Sequence, residues 1–393
     1  MNVPKLRFKE FTDVWKEYPL KYFTTPIKRK NINNESDLPL TISSLDGLVD
    51  QRTYFNKVVA SKDMSNYYLL KKGEFAYNKS YSVGFPFGSI KRLDKYNQGA
   101  LSSLYICFQV NNMNSDFIVK YFESPQWHKQ ISLCVAEGAR NHGLLNVNIN
   151  DFFSTKHFLP QLAEQEKIAN FLAIVDKKII NLENTITSLE NQKEGLLQQI
   201  FSQKLRFKDK NGNNYPNWEK KKLEDISNIT MGQSPDSDFV NTEKIGTPFL
   251  QGNAEFTNKY PIEKYWCTKP QKIANPTDIL LSVRAPVGAI NIANKKFCIG
   301  RGLSAISFNC NKLFGKYNLE FNLFQLIKKS QGSTFSSINK KDISEVILFI
   351  PCLEEQTKIA DFLSAFDRKL ENQKAQLEHW KQIKKGLLQQ MFV

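Results

Sequence analysis

Between residues 160 and 201 apolar side chains recur in steps of three and four: Leu172, Val175, Ile179, Leu182, Ile186, Leu189, Leu196 and Ile200, with Lys193 in the remaining slot. This is a heptad seam, and it predicts one long helix. At an offset of 191 the same slots carry Leu363, Phe366, Leu370, Gln373, Leu377, Trp380, Lys384, Leu387 and Met391, so each seam holds one Lys at an equivalent position. Polar seam residues fix register or strand number at a cost in stability. Each stretch opens on Pro, is acidic in its first turn and has no internal Pro, as a long helix should. A helix over residues 160–201 would be roughly 60 Å long. Two such seams in one chain can satisfy each other.

Identity between the copies clusters at their ends. Pro160, Leu162, Glu164, Gln165, Lys167, Ile168, Ala169 and Asp176 recur as Pro351, Leu353, Glu355, Gln356, Lys358, Ile359, Ala360 and Asp367, and Gly195-Leu196-Leu197-Gln198-Gln199 recurs at 386–390. A second repeat, Lys5-Leu6-Arg7-Phe8-Lys9 against Lys204-Leu205-Arg206-Phe207-Lys208, is followed by Trp15 and Trp218. One unit is therefore a basic lead, a globular segment and a long helix. Joining Val393 to Met1 would reproduce the internal junction, so the repeat is circular and a pseudo-twofold, antiparallel helix pair is expected.

The divisions expected are leads at 1–19 and 204–222, globular segments at 20–155 and 223–346, and long helices at 156–203 and 347–393. The globular segments share a weak framework: residues 73–84 align with 277–288, and Leu101-Ser102 with Leu303-Ser304. Short runs such as Leu104 to Val110, Ile279 to Val283 and Leu303 to Phe308, separated by Asn, Gly and Pro, predict strands. The expected fold is mixed α/β (α+β), with two globular domains on twisted sheets separated by two long antiparallel coiled-coil helices.

Composition adds a partner to this picture. The 393 residues carry a net charge of +15, with 41% hydrophobic residues and 29 Phe. That hydrophobic share is enough for packed cores, and the charge asks for a polyanion, nucleic acid first. Six scattered Cys without a Cys-x-x-Cys pair, and four His, predict neither a disulfide framework nor a metal site. The start lacks an apolar targeting segment and no stretch is apolar enough to span a membrane, so the expected location is cytoplasmic.

No catalytic machinery is visible. There is no Gly-x-x-x-x-Gly-Lys-Ser/Thr loop and no Gly-x-Gly-x-x-Gly. Asn275-Pro276-Thr277-Asp278 lacks the second Pro and the aromatic of a base-gripping methyltransferase loop, Pro235-Asp236 has no following acidic-x-Lys of a nuclease core, and Asp176-Lys177-Lys178 lies within a helix. The globular segments instead offer cationic, amide and aromatic side chains in loops: Lys79, Tyr81, Arg92, Arg140 and Asn141 in the first, and Gln251, Asn253, Arg284 and Arg301 in the second. Arg pairs with guanine O6/N7, Asn and Gln pair with adenine N6/N7, and all of them also hold phosphates. DNA contact is the expectation for these nine residues.

With its circular repeat, divergent globular segments and two Pro-x-Leu-x-Glu-Gln-x-Lys-Ile-Ala helices, the chain resembles the specificity subunits of Type I restriction-modification enzymes over essentially its whole length. The resemblance implies two target recognition domains that each read one half of a bipartite, asymmetric DNA target, with the helix pair as a ruler over an unread spacer. It also implies a chain that is not catalytic alone and binds no cofactor. Two modification subunits would bring S-adenosylmethionine to methylate adenine N6, and two restriction subunits would bring ATP and Mg for translocation and cleavage. On the family pattern those modification subunits dock on the helices, which directs Glu164, Gln165, Lys167, Glu355, Gln356 and Lys358 toward them. A two-headed transcriptional regulator without methyltransferase partners is the alternative.

Overall fold

The computed structural model describes residues 3–57, 59–135, 145–257, 260–331 and 337–393. The chain divides into two compact units, Met1–Glu183 with Ala375–Val393, and Asn184–Lys374.

The strands of the first unit are β1 (Lys16–Pro19), β2 (Thr24–Pro26), β3 (Pro39–Ser43), β4 (Gly47–Asp50), β5 (Tyr68–Lys71), β6 (Phe75–Asn78), β7 (Ser89–Arg92), β8 (Gln98–Leu101), β9 (Ile106–Val110) and β10 (Lys156–Leu159). β1 and β10 form an antiparallel ribbon, and two four-stranded sheets have the orders β2-β9-β6-β7 and β4-β3-β8-β5. β3 and β8 are parallel. The second unit carries β11 (Glu219–Lys222), β12 (Ser227–Met231), β13 (Val240–Asn241), β14 (Thr247–Leu250), β15 (Tyr265–Cys267), β16 (Ile273–Ala274), β17 (Ile279–Ser282), β18 (Ile290–Ile292), β19 (Phe297–Ile299), β20 (Leu303–Phe308) and β21 (Ile347–Ile350). Its ribbon is β11-β21 and its sheets are β12-β20-β17-β18 and β13-β15-β14-β19-β16, with β14 and β19 parallel. Apart from β13, this is the first unit's order strand for strand. The central strands β3 and β17 are buried at every position, so Thr41, Ser43 and Ser282 are enclosed along with the apolar side chains beside them. The topology also corrects one alignment: Leu101 closes β8, the counterpart of β19, whereas Leu303 opens β20, the counterpart of β9.

The long helices run Leu162–Phe201 and Leu353–Gln390. Residues 156–159 and 347–350, expected as helix, are strands instead, because they supply the partners that β1 and β11 need. Helix segments within each unit are antiparallel. In the first, Lys384 pairs with Asp176 at 2.7 Å and Lys381 with Glu183 at 3.0 Å; in the second, Lys193 pairs with Asp367 at 2.5 Å and Lys374 with Glu190 at 2.6 Å. Each seam lysine thus meets the repeated aspartate of the opposite helix. Burial works against ionisation of Asp176, and hydrogen bonds from Lys120 and Lys384 nevertheless hold its carboxyl below its ordinary value.

The repeated motifs lock the lead onto the helix start. Glu164, fully buried, accepts two hydrogen bonds from the Arg7 guanidinium, both 2.8 Å, and one from Trp15 Nε1 at 3.3 Å. Glu355, equally buried, accepts from Arg206 at 3.2 and 2.7 Å and from Trp218 Nε1 at 3.0 Å. The next residue ties in the globular segment: the Gln165 side chain accepts from Asn114 N and donates to Pro160 O, as Gln356 does with Asn311 N and Pro351 O. Asn114 and Asn311 in turn cap the helices Ser115–Glu123 and Lys312–Asn322. The helix ends close the circle. Leu6 N donates to Gln390 O and Leu205 N to Gln199 O, while Phe392 packs on Trp15 and Phe201 on Trp218 in their respective cores.

His157 on β10 is buried between Tyr121 and Thr155, each 2.8 Å away. The Thr155 hydroxyl already donates to Phe152 O, so it accepts from Nε2–H, and Nδ1 accepts from Tyr121. That arrangement requires a neutral ring, and burial pushes the imidazole down to about 3. The unfolded chain binds this proton near pH 6.5, so folded stability should fall as pH drops from about 6.5 toward 3. Hydrogen exchange between pH 7 and 5 should show the first unit loosening, and His157→Gln should flatten its response. The second unit has Leu348 at this place in the repeat and should respond less. Glu355→Ala leaves Arg206 and Trp218 without their partner and should cost about 3–5 kcal/mol, read in urea unfolding as early loss of exchange protection in the second unit.

Candidate nucleic-acid interface

Strand direction gathers particular loops at one end of each unit. In the second, the parallel strands β14 and β19 finish at the same end, which is also where β12 and β17 finish and β20 begins. Backbone bonds cross-link the segments that follow: Gly300 N donates to Leu250 O, Val283 N to Gly302 O, Gly232 N to Leu303 O and Gln233 N to Ile299 O. The approach is so close that a Cβ on Gly232 would stand 2.1 Å from Gly300 O, and one on Gly302 would stand 2.6 Å from Gln251 O. Glycine is required where backbones meet like this.

Gln251, Asn253, Arg284 and Arg301 all belong to these segments, so the structure brings together the four residues singled out in the second half. Gln251, Arg284 and Arg301 are exposed, and among the described residues neither guanidinium is held in an ion pair. Beside them the exposed Gln233 and the Ser234 hydroxyl, which accepts from Arg301 N at 3.3 Å, complete a polar edge. Sequence reading passed over Gln233, although Gly232-Gln233-Ser234-Pro235 directly after an alternating strand carried the turn signal.

The first unit gathers the turn after β3 (44–46), the β6–β7 loop (79–88) and the segment before β9 (102–105) at its corresponding end. Lys79 and Tyr81 lie there, Tyr81 exposed. Leu145 N donates to Lys79 O just as Ile338 N donates to Val283 O, so each unit ties this loop to a later segment through the same bond. Arg140 and Asn141 fall outside the described residues. Arg92 is a correction: β7 carries it to the opposite end, where it pairs with Asp94 and Asp116, both 2.7 Å away, and donates to Ser115 Oγ. Alternation along a strand does not reveal which end of a sheet a residue reaches.

Four of the six residues expected to face partner subunits are also corrected. Glu164, Gln165, Glu355 and Gln356 are buried and fully engaged inside their own units, because a carboxylate or amide withdrawn from water must be hydrogen-bonded. Lys167 and Lys358 remain on the surface, the first paired with Glu10 and the second donating to Lys208 O at 2.6 Å. Among the described residues, no group of His, Cys, Asp or Glu is arranged to hold a metal ion and no helix is long and apolar enough to cross a membrane.

Residues 215–379 match the model of the family described as Type I restriction modification DNA specificity domain. The protein named "Putative type I restriction enzyme MjaX specificity subunit", from Methanocaldococcus jannaschii, is 36% identical over 282 residues, which is 69% of this chain and 65% of that protein. Over residues 215–379 the chain is thus similar to the Type I specificity domain, and over 69% of its length to a Type I specificity subunit. A second specificity subunit of that organism, MjaIX, is 28% identical over 49% of this chain and 48% of its own length, so the matches span about half to two thirds of these relatives. Among solved structures, the Type I restriction-modification S subunit from M. genitalium covers 100% of this chain and 99% of its own at 16% identity and a TM-score of 0.60. A chain from a study of complex assembly and conformational transition in the type I R-M system covers 95% and 96% at 24% identity and a TM-score of 0.61. Both share the fold.

Within this specificity-subunit fold, the tight glycine crossings set the loop positions. Gly302→Ala drives a methyl group into Gln251 O and should lower the stability of the second unit by about 1–3 kcal/mol while sparing the first, as read by hydrogen exchange in urea.

Proposed function

We propose that this chain is the sequence-reading subunit of a Type I restriction-modification complex. Each unit reads one half of a bipartite, asymmetric target in double-stranded DNA, and the helix pair sets the unread spacer. The observation that carries the reading is one strand order used twice with different loop residues: a common framework with unlike reading edges suits two unlike half-sites. The net charge of +15 supports it, since phosphate neutralisation supplies most of the affinity and makes it salt-dependent. Arg284, Arg301, Gln251 and Asn253 test base edges in the second unit, and Lys79 and Tyr81 lie against DNA in the first.

The chemistry belongs to partners. Two modification subunits supply S-adenosylmethionine and methylate adenine N6 on a flipped base, and two restriction subunits supply ATP- and Mg-dependent translocation and cleavage. With Glu164, Gln165, Glu355 and Gln356 buried, docking falls to surface positions of the helices, Lys167 and Lys358 together with the exposed apolar Leu162, Ile174, Ile180 and Leu353.

Long-read mapping of N6-methyladenine in a host expressing this chain with its neighbouring methyltransferase should give a bipartite motif with a fixed gap. The methyltransferase alone should give none. Arg284→Ala should relax one half of that motif by about 1–3 kcal/mol at one position and leave the other half intact. If the two proteins are soluble and co-purify and no motif appears, the modification role is wrong.

A further inference from the structure

We propose that the two units read their half-sites through different contacts: the first by apolar packing on thymine methyl groups, the second by hydrogen bonds to purine edges. This rests on the reading of the chain as a DNA reader and divides the labour within it.

The division follows from comparing equivalent loops. At the loop end of the second unit stand Gln251 after β14, Arg284 after β17 and Arg301 before β20, all exposed and all able to hydrogen-bond. The corresponding places in the first unit present large apolar groups to solvent. Leu45 follows β3 with 84% of its surface exposed, Tyr81 (58%) and Val83 (92%) follow β6, and Leu104 (68%) precedes β9. The first two of these loops are held together, with Ser44 Oγ 3.4 Å from Ser82 Oγ and donating to Ser89 Oγ at 3.1 Å. The β6–β7 loop is also longer than its counterpart, 79–88 against 283–289.

Apolar side chains gathered at loop tips, away from the core of their unit, mark a contact surface. Against DNA, Leu and Val can neither donate nor accept, and the apolar feature that a base pair displays in the major groove is the thymine C5-methyl. Gln and Arg match the N6/N7 edge of adenine and the O6/N7 edge of guanine. Each half-site must contain thymine, opposite the adenine that is methylated.

The test uses the full-length chain and a duplex carrying the mapped motif, with halves assigned by exchanging residues 20–155. Deoxyuridine in place of thymine should weaken competition binding at least about fivefold in the first unit's half and leave the second unit's half unchanged. Replacing purines with their 7-deaza analogues, which lack N7, should give the reverse. Leu45→Ser with Val83→Ser, both at solvent-exposed tips, should abolish the deoxyuridine effect without disturbing the second half. Equal sensitivity of both halves to deoxyuridine, or an effect that survives the double substitution, overturns the division. Failure to prefer the unmodified motif duplex over a scrambled one overturns both this inference and the reading beneath it.

Discussion

A carboxylate with no access to water governs how each unit is put together. Glu164 and Glu355 sit at the starts of long helices, where a negative charge favours the helix dipole, yet they are fully buried. A buried charge is tolerated only when paired and hydrogen-bonded. The compensating guanidinium comes from the lead, Arg7 or Arg206, and the indole from Trp15 or Trp218. Lead and helix are thereby obliged to meet, although more than a hundred residues of globular segment lie between them. The neighbouring Gln165 and Gln356 extend the obligation to that segment by holding the capped ends of Ser115–Glu123 and Lys312–Asn322.

Once lead, helix and strand ribbon are bound in this way, the loops at the far end of the sheets carry little of the structural burden. Their backbones are fixed by ladder geometry and by glycine crossings, so their side chains are free to differ. That separation gives the two units one framework with unlike loop edges. What the repeat preserves is packing and hydrogen bonding.

The seam lysines illustrate how a polar residue in an apolar pattern is resolved. Lys193 and Lys384 break the heptad seam, and each finds the repeated aspartate of the opposite helix, Asp367 or Asp176. An antiparallel arrangement brings these pairs together within each unit. Around Lys384 burial opposes the charge, while Glu123 and Asp176 together raise its pKa, so the ammonium is kept.

Much of this was legible in the sequence because it recurs there. The heptad spacing determined both long helices, the 191-residue offset exposed the repeat, and the matching leads announced the circular junction later seen in the bonds from Leu6 and Leu205 to helix-end carbonyls. Arg284, Arg301, Gln251 and Asn253 were identifiable as polar loop residues, but only the parallel placement of β14 beside β19, the pairing of β17 with β20 and the backbone bonds between the segments that follow decided that they share one edge. The same logic removed Arg92, carried by β7 to the opposite end, and turned Glu164, Gln165, Glu355 and Gln356 from surface candidates into buried links. The physical reason is common to all of these cases. Periodicity and repetition are local or one-dimensional properties that a chain displays in its own order, whereas burial and the end of a sheet at which a loop emerges depend on which distant segments pair.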